Sequence, residues 1–156
     1  MNKKEHYEQS AFFAWVDLNI NHAPSKDVME ALKLCYAVTN GANLPKKKQA
    51  YKGVDGKIKW RTWSSEAAWL KEEGGLRKGF PDINLDYSTY SHAGLRIEMK
   101  HGKNVLSPEQ REKKDLLERA CYKYAVCYSA MEAVRTVYGY LPFKIEDYQG
   151  LKEFLI

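Results

Sequence analysis

The stretches Gly79-Phe80-Pro81-Asp82 and Arg96-Ile97-Glu98-Met99-Lys100 carry the strongest structural signal in this chain. In a β-strand, residues two apart share one face, so Glu98 and Lys100 project together, about 7 Å apart along the backbone. The apolar residues between them take the other face. If a neighbouring strand delivers Asp82, the group contains two carboxylates and one ammonium. Such a group can hold a divalent metal ion and polarise a phosphate.

A simpler interpretation of these stretches stays open at this point. On that interpretation Glu98 and Lys100 form a surface ion pair, which contributes well under about 1 kcal/mol. Pro81-Asp82 is then an ordinary turn. The two interpretations differ in what the flanking sequence should contain.

Length and composition predict one ordinary globular domain over residues 1–156. Hydrophobic residues make up 44% and charged residues 29%. No apolar run approaches the roughly 20 residues that span a bilayer, and the start MNKKEHYEQ lacks the apolar segment of a secretory signal. The three cysteines include no C-x-x-C pair, which favours free thiols over a zinc site. We therefore expect a cytoplasmic protein with no membrane partner.

Basic side chains are concentrated between residues 45 and 62, in a chain of net charge +5. Asp55 is the one acid in that segment, and Tyr51 and Trp60 lie among the cations. Neutralised phosphates release counterions and aromatic rings stack on bases, so a basic loop at about 42–63 favours nucleic-acid binding. The alternative is a solvated loop that only keeps the protein soluble. The residues predicted to contact nucleic acid are Lys46, Lys47, Lys48, Lys52, Lys59 and Arg61.

The remaining pattern predicts helices and strands in alternation. Helices are expected at residues 4–20, 27–34 and about 64–73 and after Ser107 and Ser129, strands at 35–39, 80–86, 95–100 and 124–128, and a hairpin tip at Asp55-Gly56. Sheets and helices bury their apolar faces against each other. We therefore expect an α/β fold with a central mixed β-sheet flanked by helices.

Two serines provide the clearest helix starts. Ser107-Pro108-Glu109-Gln110 combines a cap, a proline at the first helical position and a glutamine that can close a capping box. Ser129 precedes Glu132 by three residues in the same way. The side chains predicted to face the core after these caps are Leu116, Leu117, Ala120 and Tyr124 for the first, and Met131, Val134, Val137 and Tyr138 for the second.

These motifs resemble the signature of the PD-(D/E)xK nuclease superfamily, and the chain is similar to its stand-alone VRR-NUC domains of phage and bacterial type. The resemblance runs from about residue 5 to residue 140. Its landmarks, in order, are Glu8-Gln9, Thr39-Asn40-Gly41, residues 70–74, Gly79-Phe80-Pro81-Asp82, Ile97-Glu98-Met99-Lys100 and Ser107-Pro108-Glu109-Gln110. The segment 42–61 is longer and more basic than in compact members. The resemblance implies a restriction-endonuclease-like core for the fold. It also implies that the protein acts in a bacterial or phage-infected cell.

The resemblance also implies roles for particular residues. Asp82 and Glu98 would bind Mg²⁺ or Mn²⁺, with the Met99 backbone carbonyl as a third protein ligand. Lys100 would contact the scissile phosphate and orient or activate the attacking water.

Two further residues are candidates for the catalytic site. Glu8 is the favoured additional acid on the first helix, but Glu5 lies one turn away and the sequence hardly separates them. A solvated helix acid is the alternative for Glu8. Gln110 is a second candidate, and its role in the capping box is an equal alternative.

The function that the resemblance implies is a metal-dependent DNA endonuclease that is selective for branched DNA such as Holliday junctions. A homodimer would suit this substrate, because two-fold symmetry places two active sites on opposed strands. The alternatives are a non-catalytic nucleic-acid-binding module on the same fold, or a restriction-type or RNA-directed nuclease.

Overall fold

A computed structural model of the chain describes residues 3–38, 47–63 and 77–151. The chain forms two compact units, Met1–Val38 with Gly79–Ile156, and Thr39–Lys78. The turn predicted at Asn40-Gly41 and the helix predicted at about 64–73 lie outside the described residues.

The larger unit contains four α-helices and a four-stranded sheet within the described ranges. Its elements are α1 (Lys3–His22), α2 (Lys26–Leu32), β1 (Cys35–Ala37), β4 (Ile83–Leu85), β5 (Gly94–Met99), α3 (Pro108–Arg119), β6 (Tyr122–Cys127), α4 (Ala130–Tyr140) and a 3-10 turn (Ile145–Asp147). The smaller unit contributes β2 (Lys47–Lys52) and β3 (Ile58–Trp63).

The sheet of the larger unit is mixed, with strand order β1-β4-β5-β6. β4 runs antiparallel to β1 and β5, whereas β6 runs parallel to β5. The prediction of a central mixed sheet flanked by helices is therefore confirmed. Ile83 pairs with Ile97, so the next residues outward place Asp82 alongside Glu98. This register brings the two sequence motifs together.

The hydrophobic core lies against one face of this sheet. Leu95, Ile97 and Met99 are at most 1% exposed, as strand alternation predicts for the face opposite Glu98. They belong to one cluster with Phe12 and Val16 of α1. Each such side chain contributes about 1.5–3 kcal/mol on burial, so β5 is firmly held and its other face can carry polar groups.

Helix α3 begins with the predicted capping box. The Gln110 backbone N–H donates to Ser107 Oγ (3.2 Å), and the Ser107 backbone N–H donates to Gln110 Oε1 (2.9 Å). The prediction that Leu116, Leu117 and Ala120 face the core is wrong, because Leu116 and Ala120 are exposed and Leu117 is only half-buried. The helix packs at the polar side of the sheet, where its first turn contacts Glu98.

Helix α4 is also capped as predicted, with the Glu132 N–H donating to Ser129 Oγ (3.2 Å). Val134 and Val137 are fully buried. Met131 is 43% exposed, so its predicted core position is wrong. The buried stripe repeats at helical spacing through Ala130, Ala133, Val134, Val137 and Tyr140, and Met131 lies one residue out of phase.

The described part of the predicted basic loop is a two-stranded antiparallel ribbon, a longer hairpin than the small one predicted around Asp55-Gly56. Lys52 pairs with Ile58 at its end, and the predicted tip at Asp55-Gly56 is confirmed. Gly56 has φ +72°, a left-handed conformation that glycine adopts without steric cost. Among the described residues, no helix is both long and apolar enough to cross a membrane.

Candidate active site

Two carboxylates lie side by side where β4 begins and β5 ends. Asp82 is 7% exposed and Glu98 only 2%. Asp82 Oδ2 accepts a hydrogen bond from the Met99 backbone N–H (3.0 Å), which fixes the aspartate against the end of β5. Burying carboxylates costs free energy unless they are paired, so this arrangement requires specific partners.

Lys100 and Gln110 supply partners for Glu98. Lys100 Nζ donates to Glu98 Oε1 and to Gln110 Oε1, both at 2.9 Å. Gln110 Nε2 donates to the same Glu98 oxygen. Four of the five predicted catalytic residues therefore meet, and Gln110 has both of the roles considered from the sequence, since its side chain also closes the capping box.

The turn at Gly79 holds the start of α3 against this group. Gly79 has φ +84°, and a Cβ built there would lie 2.5 Å from the Glu109 backbone oxygen. The backbone of the Gly-Phe-Pro-Asp motif thus touches the backbone of the first turn of α3. A side chain at this position would push away the turn that carries Gln110.

Replacing Gly79 with alanine is expected to displace α3 and lower the free energy of unfolding. The left-handed φ costs about 1–2 kcal/mol for any other residue, and overpacking adds about 1–3 kcal/mol. Gly102→Ala is the matched control, because Gly102 also has positive φ (+59°) but has nothing within 4 Å of a built Cβ. Chemical denaturation measures both. Equal losses in the two variants would show that the contact with α3 is unimportant.

The electrostatic environment of Glu98 is unusual for a glutamate. Its pKa is raised from an ordinary 4.5 to about 7, mainly by burial and next by the neighbouring charge of Asp82. The hydrogen bond and charge of Lys100 act in the opposite direction, and Glu5 adds a smaller upward effect. A buried carboxylate whose pKa is shifted by a second acid is typical of functional sites.

One oxygen of Glu98 is available for a cation. Glu98 Oε2 is buried and has no hydrogen-bond partner in the described part of the chain. Together with Asp82 and the Met99 carbonyl it would give the hard oxygen donors that Mg²⁺ and Mn²⁺ prefer. The described residues contain no cluster of three His, Cys, Asp or Glu side chains of metal-binding type, so this donor set depends on the backbone carbonyl.

The first helix presents Glu5, rather than Glu8, to this group. Glu5 is 7% exposed and accepts a hydrogen bond from Asn104 Nδ2 (3.2 Å). Its negative charge also raises the pKa of Glu98. The Glu8 carboxylate accepts a hydrogen bond from the Ala130 N–H (2.7 Å) at the start of α4. The structure therefore places the Glu8 carboxylate at the start of α4, outside the hydrogen bonds that join Glu98, Lys100 and Gln110.

Two buried polar residues beside the carboxylates were not predicted as site residues: Asn84 was not singled out, and Tyr124 was expected only to face the core, where it is indeed buried. Asn84 and Tyr124 flank Arg96 in the sheet, on the same face as Glu98. Burial raises the pKa of Tyr124, and the charges of Glu98 and Asp82 raise it further. The signal available in the sequence was that the three strands carry polar residues at positions 84, 96 and 124, with apolar neighbours on both sides at 84 and 96. Such alternation is also common on solvated sheet faces.

The predicted nucleic-acid contacts lie on the ribbon of the smaller unit. Lys46 lies outside the described residues, and only the backbone of Lys47 is described. Lys48, Lys52, Lys59 and Arg61 belong to β2 and β3, and all four are exposed. The structure thus places the described members of this set on one compact element.

Comparison with known proteins gives a family for this chain. The VRR-NUC domain family matches residues 16–131, which is more than half of the sequence. A solved structure described as a VRR_NUC domain protein is similar with a TM-score of 0.56 and 18% identity, over 85% of this chain and 86% of its own. At that identity the likeness shows the fold alone. No curated protein matches the sequence. The chain therefore belongs to the VRR-NUC family, a family of nuclease-type domains whose membership implies a DNA substrate.

Proposed function

We propose that this protein is a Mg²⁺- or Mn²⁺-dependent endonuclease that hydrolyses phosphodiester bonds in branched DNA such as Holliday junctions. The observation that supports it most is the group of Asp82, Glu98, Lys100 and Gln110, in which one buried oxygen of Glu98 has no hydrogen-bond partner in the described part of the chain. A module that only binds DNA has no need for two adjacent buried carboxylates.

The metal ion would be held by Asp82, Glu98 and the Met99 carbonyl. When bound, it supplies charge neutralisation at the phosphate and lowers the pKa of attacking water. Lys100 would leave Glu98 and donate a hydrogen bond to a non-bridging oxygen of the scissile phosphate, where negative charge grows during attack. Water adds to phosphorus as the bond to the 3′ oxygen breaks, which leaves a 5′-phosphate and a 3′-hydroxyl.

Gln110 and Glu5 would hold this arrangement in place. Gln110 is bonded to both Glu98 and Lys100, so it keeps the carboxylate and the ammonium in fixed orientations. Glu5 adds negative charge beside Glu98, which favours a nearby cation. We assign Glu5 as the helix acid, in preference to Glu8.

The selectivity for branched DNA and the homodimer are part of this proposal. The resemblance to stand-alone VRR-NUC domains supports both. A two-fold dimer would present two sites of this kind to opposed strands of a junction.

The decisive experiment compares a four-way junction, a flap, a linear duplex and single-stranded RNA as substrates. Each is incubated with Mg²⁺, with Mn²⁺ or with EDTA. We expect junction cleavage with either metal and none in EDTA. Cleavage that persists in EDTA would exclude the metal mechanism, binding without cleavage in any condition would favour a non-catalytic module, and preferential cleavage of linear duplex would favour a restriction-type nuclease.

Neutralising Lys48 and Lys52 of the ribbon by glutamine is expected to weaken DNA binding by a similar factor for every sequence tested. Each lost phosphate contact reduces the magnitude of the negative slope of log K against log salt by about 0.9 for duplex DNA. The slope of the double variant should therefore be smaller in magnitude by nearly 2. Binding is measured by fluorescence anisotropy over a range of salt concentrations.

The control for charge alone replaces Lys33 and Lys144, two exposed lysines of the larger unit, by glutamine. The net charge changes equally in both double variants. If both give the same slope as the unmodified protein, the ribbon does not contact phosphates. If both lower it equally, the effect is one of total charge.

A further inference from the structure

The two faces of the β2–β3 ribbon differ in whether their described side chains have partners within the ribbon. Directly paired residues of antiparallel strands share a face, so Lys48, Ala50, Lys52, Ile58 and Trp60 lie on one side. Trp60 is 69% exposed and Ile58 is 73% exposed. The Trp60 indole is thus presented to solvent between the levels of Lys48 and Lys52, and the Ile58 side chain lies directly opposite Lys52.

The other face is occupied by contacts within the ribbon. Arg61 donates to Gln49 Oε1 from Nε (3.1 Å) and Nη2 (2.8 Å), and its guanidinium lies 5.8 Å from the centre of the Tyr51 ring. Lys59 is paired with Asp55 at 3.2 Å. Arg61, Lys59 and the Tyr51 ring therefore already have partners within the ribbon.

On the Trp60 face, by contrast, Lys48 and Lys52 have no ion-pair partner within the described residues. No acidic side chain belongs to the strand pairs on this face. An exposed apolar centre with uncompensated positive charge on both sides suits a partner that has flat apolar surfaces and negative charge at regular intervals.

We propose that this face binds unpaired bases of DNA, with Trp60 stacking on a base and Lys48 and Lys52 contacting the flanking phosphates. The inference rests on the proposed function for its choice of DNA, and it adds that the ribbon recognises the unstacked part of a branched substrate. Aromatic side chains stack on any base, so recognition would be independent of sequence. Trp60 and Ile58 are two residues apart on one strand, or about 7 Å, which matches two base-stacking steps of about 3.4 Å.

The charge pattern disfavours a second copy of this face as the partner. Two such faces in contact would bring four lysines together with no acid between them. An acidic membrane surface would also attract this charge, and it is tested as an alternative below. Stacking on DNA uses both the indole and the lysines.

The experiment measures binding in EDTA with a Lys100→Met background, so that no cleavage is needed. Probes are a 20-nucleotide single strand that contains 2-aminopurine and a fully paired duplex of the same length. We expect Trp60→Ala to weaken single-strand binding about 5- to 150-fold, the range of about 1–3 kcal/mol for one stacked base. Duplex binding should change less than threefold, and Trp60→Phe should recover most of the loss.

Tyr51→Ala is the matched control, since it removes an aromatic ring of the same ribbon from the opposite face. We expect it to leave the ratio of single-strand to duplex affinity within twofold of the parent. Quenching of 2-aminopurine by the parent, lost in Trp60→Ala, reports stacking directly. An unchanged affinity ratio and unchanged quenching in Trp60→Ala would overturn the inference.

Two other outcomes would also overturn it. If Trp60→Ala changes the molar mass in solution but not the affinity ratio, the face joins two copies of the chain. If it abolishes binding to phosphatidylserine vesicles but not to the single strand, the partner is a membrane. All of these readouts are independent of metal and of cleavage, so a failure here leaves the proposed nuclease function standing, and the reverse also holds.

Discussion

Replacing Lys100 with methionine is expected to lower junction cleavage by about 10²–10³-fold or more, while junction binding changes only a few-fold. A donor aimed at the charge that develops on phosphate contributes this much in water-excluded sites. The Lys100 side chain is 11% exposed and its ammonium is held beside the two carboxylates by Glu98 and Gln110, so it is already at the site before substrate arrives. Methionine preserves most of the aliphatic stem and removes the charge.

Single-turnover cleavage with saturating Mg²⁺ measures this effect separately from binding. Lys103→Met is the matched control, because Lys103 lies three residues further along the chain and is exposed. A thermal melt establishes that both variants fold. Junction cleavage at the parental rate by a folded Lys100→Met protein would remove Lys100 from the mechanism and weaken the proposed function.

The sequence predicts the centre of the fold because local rules act there without competition. Alternation in β5 follows from strand geometry, and it puts Glu98 and Lys100 opposite the core residues. The capping box at Ser107 depends only on side chains and backbone within one turn. Both features are confirmed, and together they determine where Glu98, Lys100 and Gln110 meet.

The parts that the sequence does not predict depend on packing between distant elements. Glu5 and Glu8 lie on the same helix one turn apart, and their separation depends on which of them meets Asn104 and which meets the start of α4. Leu116 was predicted to be buried because it is apolar, but α3 packs on a polar sheet face. The pattern of apolar residues within one helix does not indicate which other element of the fold packs against it.

The ribbon shows a third limit. Its composition indicates nucleic-acid binding, and the paired strands divide that composition into one face of internally satisfied groups and one face of exposed groups. The division depends on register, which a single sequence specifies weakly in a two-sided polar strand. The catalytic role of each site residue also stays a prediction, because it depends on contacts with a bound substrate.

The second large effect concerns stability, and it follows from the pKa of about 7 for Glu98 against an ordinary 4.5. Below pH 4.5 this carboxyl is protonated in both the folded and the unfolded chain, and its burial carries no charge penalty. Between 4.5 and 7 the unfolded chain ionises first, so the free energy of unfolding falls as pH rises. Above 7 the loss is complete and amounts to about 3 kcal/mol at 1.36 kcal/mol per pKa unit.

Glu98→Gln cannot ionise, so it should unfold with a free energy up to about 3 kcal/mol higher than the parent at pH 8 in EDTA, with almost no difference near pH 4.5. The same variant should lose metal-dependent cleavage, because an amide oxygen replaces the carboxylate that we propose as a metal ligand. Urea denaturation at a series of pH values measures the stability difference. Glu112→Gln, at an exposed position of α3, controls for the loss of one acid. A Glu98→Gln protein that is less stable at pH 8 than at pH 4.5, relative to the parent, would show that Glu98 is held as a structural ion-pair partner of Lys100. The predicted gain would instead mean that the fold tolerates an unfavourable buried charge at this position, which would support the proposal that Glu98 binds a cation.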